Sequence, residues 1–101
     1  SSDRLLVVYA FRRADTPEAP ARLGLSVSRK VGPSVTRNRV KRVLRARFAE
    51  IAPGLPTGLD IVVIARAGLA EEIERRGGDA AGARLATLAA AAAERAERAA
   101  A

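Results

Sequence analysis

The apolar positions of this chain change their period several times, and each change marks an element. Residues 5–11 form an unbroken apolar run with no helix cap before it, a length that suits a buried strand. Over residues 22–28 the pattern becomes a clean alternation, with Leu23, Leu25 and Val27 pointing one way and Gly24, Ser26 and Ser28 the other. That is a strand with one buried face and one polar face lined by small groups. Between the two, Asp15, Thr16, Pro17 and Pro20 mark a surface connection. Arg29-Lys30-Val31-Gly32-Pro33 turns the chain, and Ser34 or Thr36 can cap a helix that runs to about Ile51, where Pro53 and Gly54 stop it. Residues 59–65, apolar apart from Asp60, predict a further strand. A short acidic helix follows over residues 69–76, Gly77-Gly78 opens a hinge, and from residue 79 the chain is alanine-rich with high helix propensity.

A strand–helix–strand order means that the strands around residues 25 and 62 lie parallel in one sheet. The first strand is expected antiparallel to its neighbour across the 12–21 loop. The fold class is therefore α/β in element order, built as an α+β two-layer sandwich with a mixed sheet, a β-α-β crossover and two or three helices. Residues 1–78 carry the sheet and the central helix, and residues 79–101 form a C-terminal helix of the same domain. Its only large apolar residues are Leu85 and Leu88, which predict one short packing stripe and a fraying end with no assigned function.

The central helix changes the picture. On a helical projection Val40, Val43, Leu44, Phe48 and Ile51 make an ordinary core stripe. Arg37, Asn38, Lys41, Arg42 and Arg45 fall on an arc that abuts this stripe instead of opposing it, and no acid interrupts them. A solubilising face would sit opposite the core and mix in Glu to pair the Arg. Here the basic arc runs down the edge of the sheet contact, where it can wall a groove. Residues 19–49 hold nine Arg or Lys and no Asp or Glu, an unpaired repulsion that a purely structural role does not require. Guanidinium suits phosphate because its planar fork can clamp two oxygens. Asn38 can donate and accept toward a backbone or base edge, although a first-turn Asn also bonds locally.

The whole chain agrees, with a formal charge of +7 over 101 residues and a sequence pI near 11.4. A polyanionic partner follows, and no apolar run approaches the ~20 residues that span a bilayer. Sixteen of the eighteen basic residues are Arg, which with the alanine excess reads first as a GC-rich genome. Without Cys or His there is no thiolate or imidazole metal site and no Ser-His or Cys-His nucleophile pair. A cysteine-free chain fits a reducing compartment, so a cytoplasmic protein is expected. A protein-only nuclease would need converging carboxylates. Glu71, Glu72 and Glu74 instead sit on one short helix that reads as solvated.

The motifs now have a family. Leu23-Gly-Leu-Ser-Val-Ser-Arg-Lys-Val-Gly, then Arg37-Asn-Arg-Val-Lys-Arg-Val-Leu-Arg, then Asp60-Ile-Val-Val-Ile-Ala-Arg66 closely resemble the bacterial ribonuclease P protein, in that family's order and spacing from about Leu5 to Gly68. The resemblance implies a ribosomal-protein-like domain with a left-handed crossover. It implies a catalytic RNA as the enzyme, with Mg²⁺ held by the RNA–substrate complex and no catalytic or metal-binding residue in the protein. The chain would be the accessory protein subunit of this endoribonuclease, binding ribonuclease P RNA and the 5′ leader of precursor tRNA. Arg37, Asn38, Arg39, Lys41, Arg42 and Arg45 would face the catalytic RNA. A leader cleft between helix and sheet would include Tyr9, with Ser26, Ser28, Arg29 and Lys30 as wall or rim. Tyr9 reads equally as a core aromatic at a strand end.

Family members normally begin with a basic, aromatic-bearing helix and a further strand ahead of the segment matching Leu5. Their absence here implies exposed apolar sheet surface, and with it reduced stability or self-association of what is expected to be a monomer in the complex. The competing class is a general structured-RNA or nucleic-acid-binding module. Against it, a helix-turn-helix needs two successive helices, and Tyr9 and Phe11 are few aromatics for an RNA-recognition sheet. Neither a membrane nor DNA is an expected partner.

Overall fold

The computed structural model describes residues 1–100 and arranges them as three strands and three helices: β1 (Leu6–Arg12), β2 (Arg22–Val27), α1 (Ser34–Ile51), β3 (Leu59–Ala65), α2 (Leu69–Arg76) and α3 (Gly78–Ala100). Short 3₁₀ turns, Arg29–Val31 and Ala52–Gly54, precede and follow α1. The sheet order is β1-β3-β2, with β2 parallel and β1 antiparallel to β3. This is the mixed α+β sandwich that the element order predicts, with one correction. The antiparallel neighbour of β1 is β3, not the strand across the loop. Tight hairpins use loops of about 2–5 residues, and the connection here is longer, so it can carry the chain over the end of β3.

Three bonds hold that connection in place. The Arg13 N–H donates to the Gly58 carbonyl at 2.7 Å, the Gly58 N–H to Ala19 at 2.7 Å, and the Thr57 hydroxyl to Pro17 at 3.1 Å. Gly58 has φ 76, and a Cβ there would stand 2.6 Å from the Pro17 carbonyl oxygen, so only glycine fits. The buried Arg13 guanidinium donates to the carbonyls of Ala19 (3.3 Å) and Pro20 (2.7 Å) from inside the loop.

Cross-strand register decides which side chains share a face. Val8 and Leu25 flank Val63, Ala10 and Leu23 flank Ile61, and Leu6 and Val27 flank Ala65. These rows meet Val40, Leu44 and Phe48 of α1 in a single core. At the start of α1 neither Ser34 nor Thr36 caps the helix: Pro33 holds the cap position in an extended conformation, with no side-chain cap. The Ser34 hydroxyl instead accepts from Arg37 Nη2 at 3.0 Å.

The alanine-rich helix is far more engaged than two leucines suggest. Ala81, Leu85, Leu88, Ala89, Ala92 and Ala93 of α3 are all buried, at spacings that put them on one face. They pack against β1 and α1. Weak packing by a short stripe is therefore corrected: the stripe is long, but most of it is alanine.

A polar cluster ties the same helix to α2 and to the first residues. Glu72, only 9% exposed, accepts from Arg84 Nε and lies 3.7 Å from Arg4 and 3.9 Å from Arg76. Arg84 Nη1 also donates to Asp3 at 2.8 Å, and the other Asp3 oxygen accepts the Leu5 and Leu6 N–H groups. Glu72 is thus not solvated. The Arg84 hydrogen bond holds its carboxyl below the ordinary value of 4.5. Burial pushes Asp3 up, but the two backbone N–H groups and Arg84 outweigh it and leave it below 3.8.

Two predictions follow from this packing. Leu85→Ala, at a fully buried site, should cost about 2–5 kcal/mol, read as a melting temperature lowered by roughly 10 °C or more; a shift within error would show that α3 is not part of the cooperative core. Carboxyls with depressed folded values stabilise above their ordinary pKa and lose that contribution as they protonate. Melting temperature should therefore fall as pH drops below 4.5 and continue down through 3.8, with a smaller acid loss in Glu72→Gln. An equal loss in that variant would remove Glu72 from the account.

Candidate nucleic-acid interface

Two surfaces emerge, one on α1 and one on the open face of the sheet. On α1 the core residues Val40, Leu44 and Phe48 fix the rotation of the helix, and that rotation sets where every cation goes. Arg37 and Lys41 are half-buried along the edge of the packed face, while Asn38, Arg42 and Arg45 are exposed. Arg37, Lys41 and Arg45 make one line about 12 Å long at a helical rise of 1.5 Å per residue. Like charges at this i,i+4 spacing each cost about 0.2–0.5 kcal/mol, so the line is maintained against its own repulsion. Among the described residues, Arg29, Lys30, Arg37, Lys41, Arg42 and Arg45 have no ion-pair partner.

Not every cation of the basic segment is free, and here the picture drawn from residues 19–49 alone is corrected. Arg39 donates to Glu74 of α2 at 2.9 Å. Arg47 pairs with Glu50 at 3.2 Å and with Asp79 of α3 at 2.9 Å. Arg22 forms a two-pronged pair with Asp60 at 2.8 and 3.1 Å, and this bond holds the Asp60 carboxyl below its usual range. Glu50 is on α1 itself, three residues on, but Glu74, Asp79 and Asp60 come from other elements, so the local sequence could not reveal them. Arg39 remains exposed but is shared with α2.

The second surface is the sheet face that the helices leave uncovered. Its rows are Tyr9–Val62–Gly24, Val7–Ile64–Ser26 and Phe11–Asp60–Arg22. Gly24 and Ser26 carry too little side chain to cover the face, so Tyr9 is 49% exposed and Phe11 is 56% exposed. Their rings stack with centroids 6.3 Å apart and planes at 29°. Tyr9 is therefore not a core aromatic. Ser26 shares its face, while Ser28, Arg29 and Lys30 follow at the exposed end of β2. Phe11 is the residue that sequence reasoning passed over. The signal was present, because residues two apart on a strand share a face, but a continuous apolar run masked it.

The geometry thus offers cations for phosphate and rings for bases. Among the described residues no helix is long and apolar enough to cross a membrane.

Comparison with known proteins agrees with these features. The family described as Ribonuclease P matches residues 1–77. The chain is similar to the ribonuclease P protein components of Geobacillus kaustophilus (46% identical over 72 residues, 70% of this chain and 57% of that protein) and Brevibacillus brevis (41% over 69 residues, 68% and 53%). It spans between half and two-thirds of the length of these relatives. Among solved structures, the RNase P protein from Thermotoga maritima is similar with a TM-score of 0.77 at 33% identity, covering 89% of this chain and 79% of that one. An RNase P protein from Staphylococcus aureus gives 0.68 at 30%, covering 84% and 75%.

A salt titration tests the α1 surface. If about six phosphates are contacted, affinity for structured RNA should fall roughly a thousandfold between about 50 and 200 mM salt. Arg42→Ala and Arg45→Ala should each reduce the log–log slope by about one, and Arg39→Ala by less, because Glu74 already holds that guanidinium. An unchanged slope for Arg42 or Arg45 would remove that residue from the surface.

Proposed function

Because the chain belongs to the ribonuclease P protein family, we propose that it is the accessory protein subunit of that endoribonuclease, assisting 5′ maturation of tRNA. The family membership carries this reading, and the line of unpaired cations on α1 supports it. In this reading Arg37, Asn38, Arg39, Lys41, Arg42 and Arg45 contact ribonuclease P RNA. Arginine forks take phosphate oxygens, and Asn38 adds an amide that can donate and accept.

The open sheet face takes the other partner, the unpaired 5′ leader of precursor tRNA. Tyr9 supplies a stacking surface, Ser26 and Ser28 supply hydroxyls, and Arg29 and Lys30 supply charge at the rim. Stacked bases contribute about 1–3 kcal/mol each and tolerate any sequence, which suits a leader that varies between substrates.

The protein's part is to bind and orient, and the RNA carries the reaction. In this reading Mg²⁺ belongs with the RNA and its substrate. The same reading gives a cytoplasmic protein that acts as a monomer within the complex.

The test is precursor tRNA cleavage by the ribonuclease P RNA of Geobacillus kaustophilus, source of the relative at 46% identity, across a Mg²⁺ series. Adding the chain should shift 5′ cleavage to lower Mg²⁺, and the Arg42→Ala/Arg45→Ala double variant should lose most of that shift. The same Mg²⁺ requirement with and without protein would overturn the assignment.

A further inference from the structure

Of the cations on α1 assigned to RNA, Arg39 alone meets an acid among the described residues. Its Nη2 donates to Oε1 of Glu74 on α2 at 2.9 Å. At about 100° per residue, Arg39 stands roughly 200° around the helix from Arg37, on the flank turned to α2. With Thr36 and Glu71, the pair lines a groove of about 200 Å³ between α1 and α2.

Stability does not account for this pair. Burial of Leu69, Ala70 and Ile73 already fixes α2, and the bond from Arg84 to Glu72 clamps it further. The side chains of Arg39 and Glu74 are 44% and 61% exposed, and exposed pairs contribute little to folding. A carboxylate beside a phosphate contact also works against every polyanion that approaches. What the bond supplies is direction. A guanidinium carries five N–H donors in a planar fork. Glu74 engages Nη2, so Nε and Nη1 stay available to a phosphate while the fork is held at one angle. The neighbours of Glu74 on α2, Glu72 and Ile73, are buried, so the fold sets that angle.

We propose that Glu74 determines specificity for ribonuclease P RNA by positioning Arg39. A phosphate presented at the matching angle meets a guanidinium that is already ordered. A polyanion that presents its charges otherwise gains less from the fixed fork and still meets the Glu74 carboxylate. A freely rotating arginine would accept either equally. Glu74 acts through Arg39 and not by touching RNA, so it is a positioning residue. This deepens the reading of α1 as the surface for ribonuclease P RNA and rests on it. It also gives α2 a part in recognition.

The experiment compares affinities for two probes at about 50 mM salt, where charge is weakly screened. One is the ribonuclease P RNA of Geobacillus kaustophilus; the other is labelled heparin, a polyanion without that geometry. Glu74→Ala should bind the RNA roughly two- to tenfold more weakly, the cost of ordering one long side chain. It should bind heparin up to about fivefold more tightly, because one repelling charge is gone. Glu74→Gln keeps an amide oxygen that can accept from Arg39, so it should retain RNA affinity while binding heparin more tightly. Glu71→Ala, on the same helix and groove but paired with no arginine among the described residues, should tighten both. In an Arg39→Ala background, Glu74→Ala should no longer weaken RNA binding. Melting curves check that each variant is folded. A loss for both probes in Glu74→Ala would mark a structural residue and a gain for both a plain charge, and either result overturns the proposal. Failure of the unaltered chain to bind the RNA would overturn the reading of α1 and this inference with it, whereas tight binding without the split between probes removes Glu74 alone.

Discussion

Everything in this molecule depends on the one-sided burial of its central strand. Leu59, Ile61, Val63 and Ala65 of β3 are sealed, while Asp60, Val62 and Ile64 between them are not. With β1 and β2 bonded along its two edges, β3 makes the sheet a wall with one dry side. All apolar helix surface must then be spent on that side. The rotation of α1 follows from where Val40, Leu44 and Phe48 must go, and the position of α3 follows from the exposed flank of β1. The other side keeps Tyr9 and Phe11 in solvent because nothing in the described chain competes for it.

The charges divide along the same line. Cations that hold elements together meet an acid from another element: Arg84 with Glu72 and Asp3, Arg47 with Asp79, Arg39 with Glu74, Arg22 with Asp60. Those on the outer line of α1 meet none. Exposed pairs of this sort contribute little stability individually, so their value lies in alignment. They fix α2 and α3 against α1 while removing acids from competition with an incoming anion. The net positive charge is thereby concentrated where it remains available.

Much of this was legible in the residues. Alternation gave β2 and its buried face directly, and the Pro and Gly stops bounded α1 closely. The basic arc of α1 and its relation to the core stripe could be drawn on a projection. Three features were hidden for physical reasons. Partners such as Glu74 for Arg39 lie 35 positions away, beyond any local pattern. The packing face of α3 was invisible because alanine occupies both its buried and exposed sides, so no contrast marks the period. Phe11 was concealed in a run whose apolar residues serve two different faces. The neighbour of β1 was misread for a related reason, since a long connection does not dictate adjacency.

The contact between α1 and α3 has a consequence for how this sequence can drift. The stem of Arg47 lies across Gly82 and its guanidinium beside Gly78, and a Cβ on Gly82 would stand 3.0 Å from Cδ of that arginine. Glycine in a helix interior normally gives up about 1 kcal/mol relative to alanine, and one base change converts one codon to the other. In a helix already so rich in alanine that exchange would be neutral or welcome almost anywhere else. At residue 82 the added methyl would press on the stem of Arg47, which must give by a few tenths of an ångström while it is held by Asp79 and Glu50, so the mutational current that makes the tail look featureless meets resistance there.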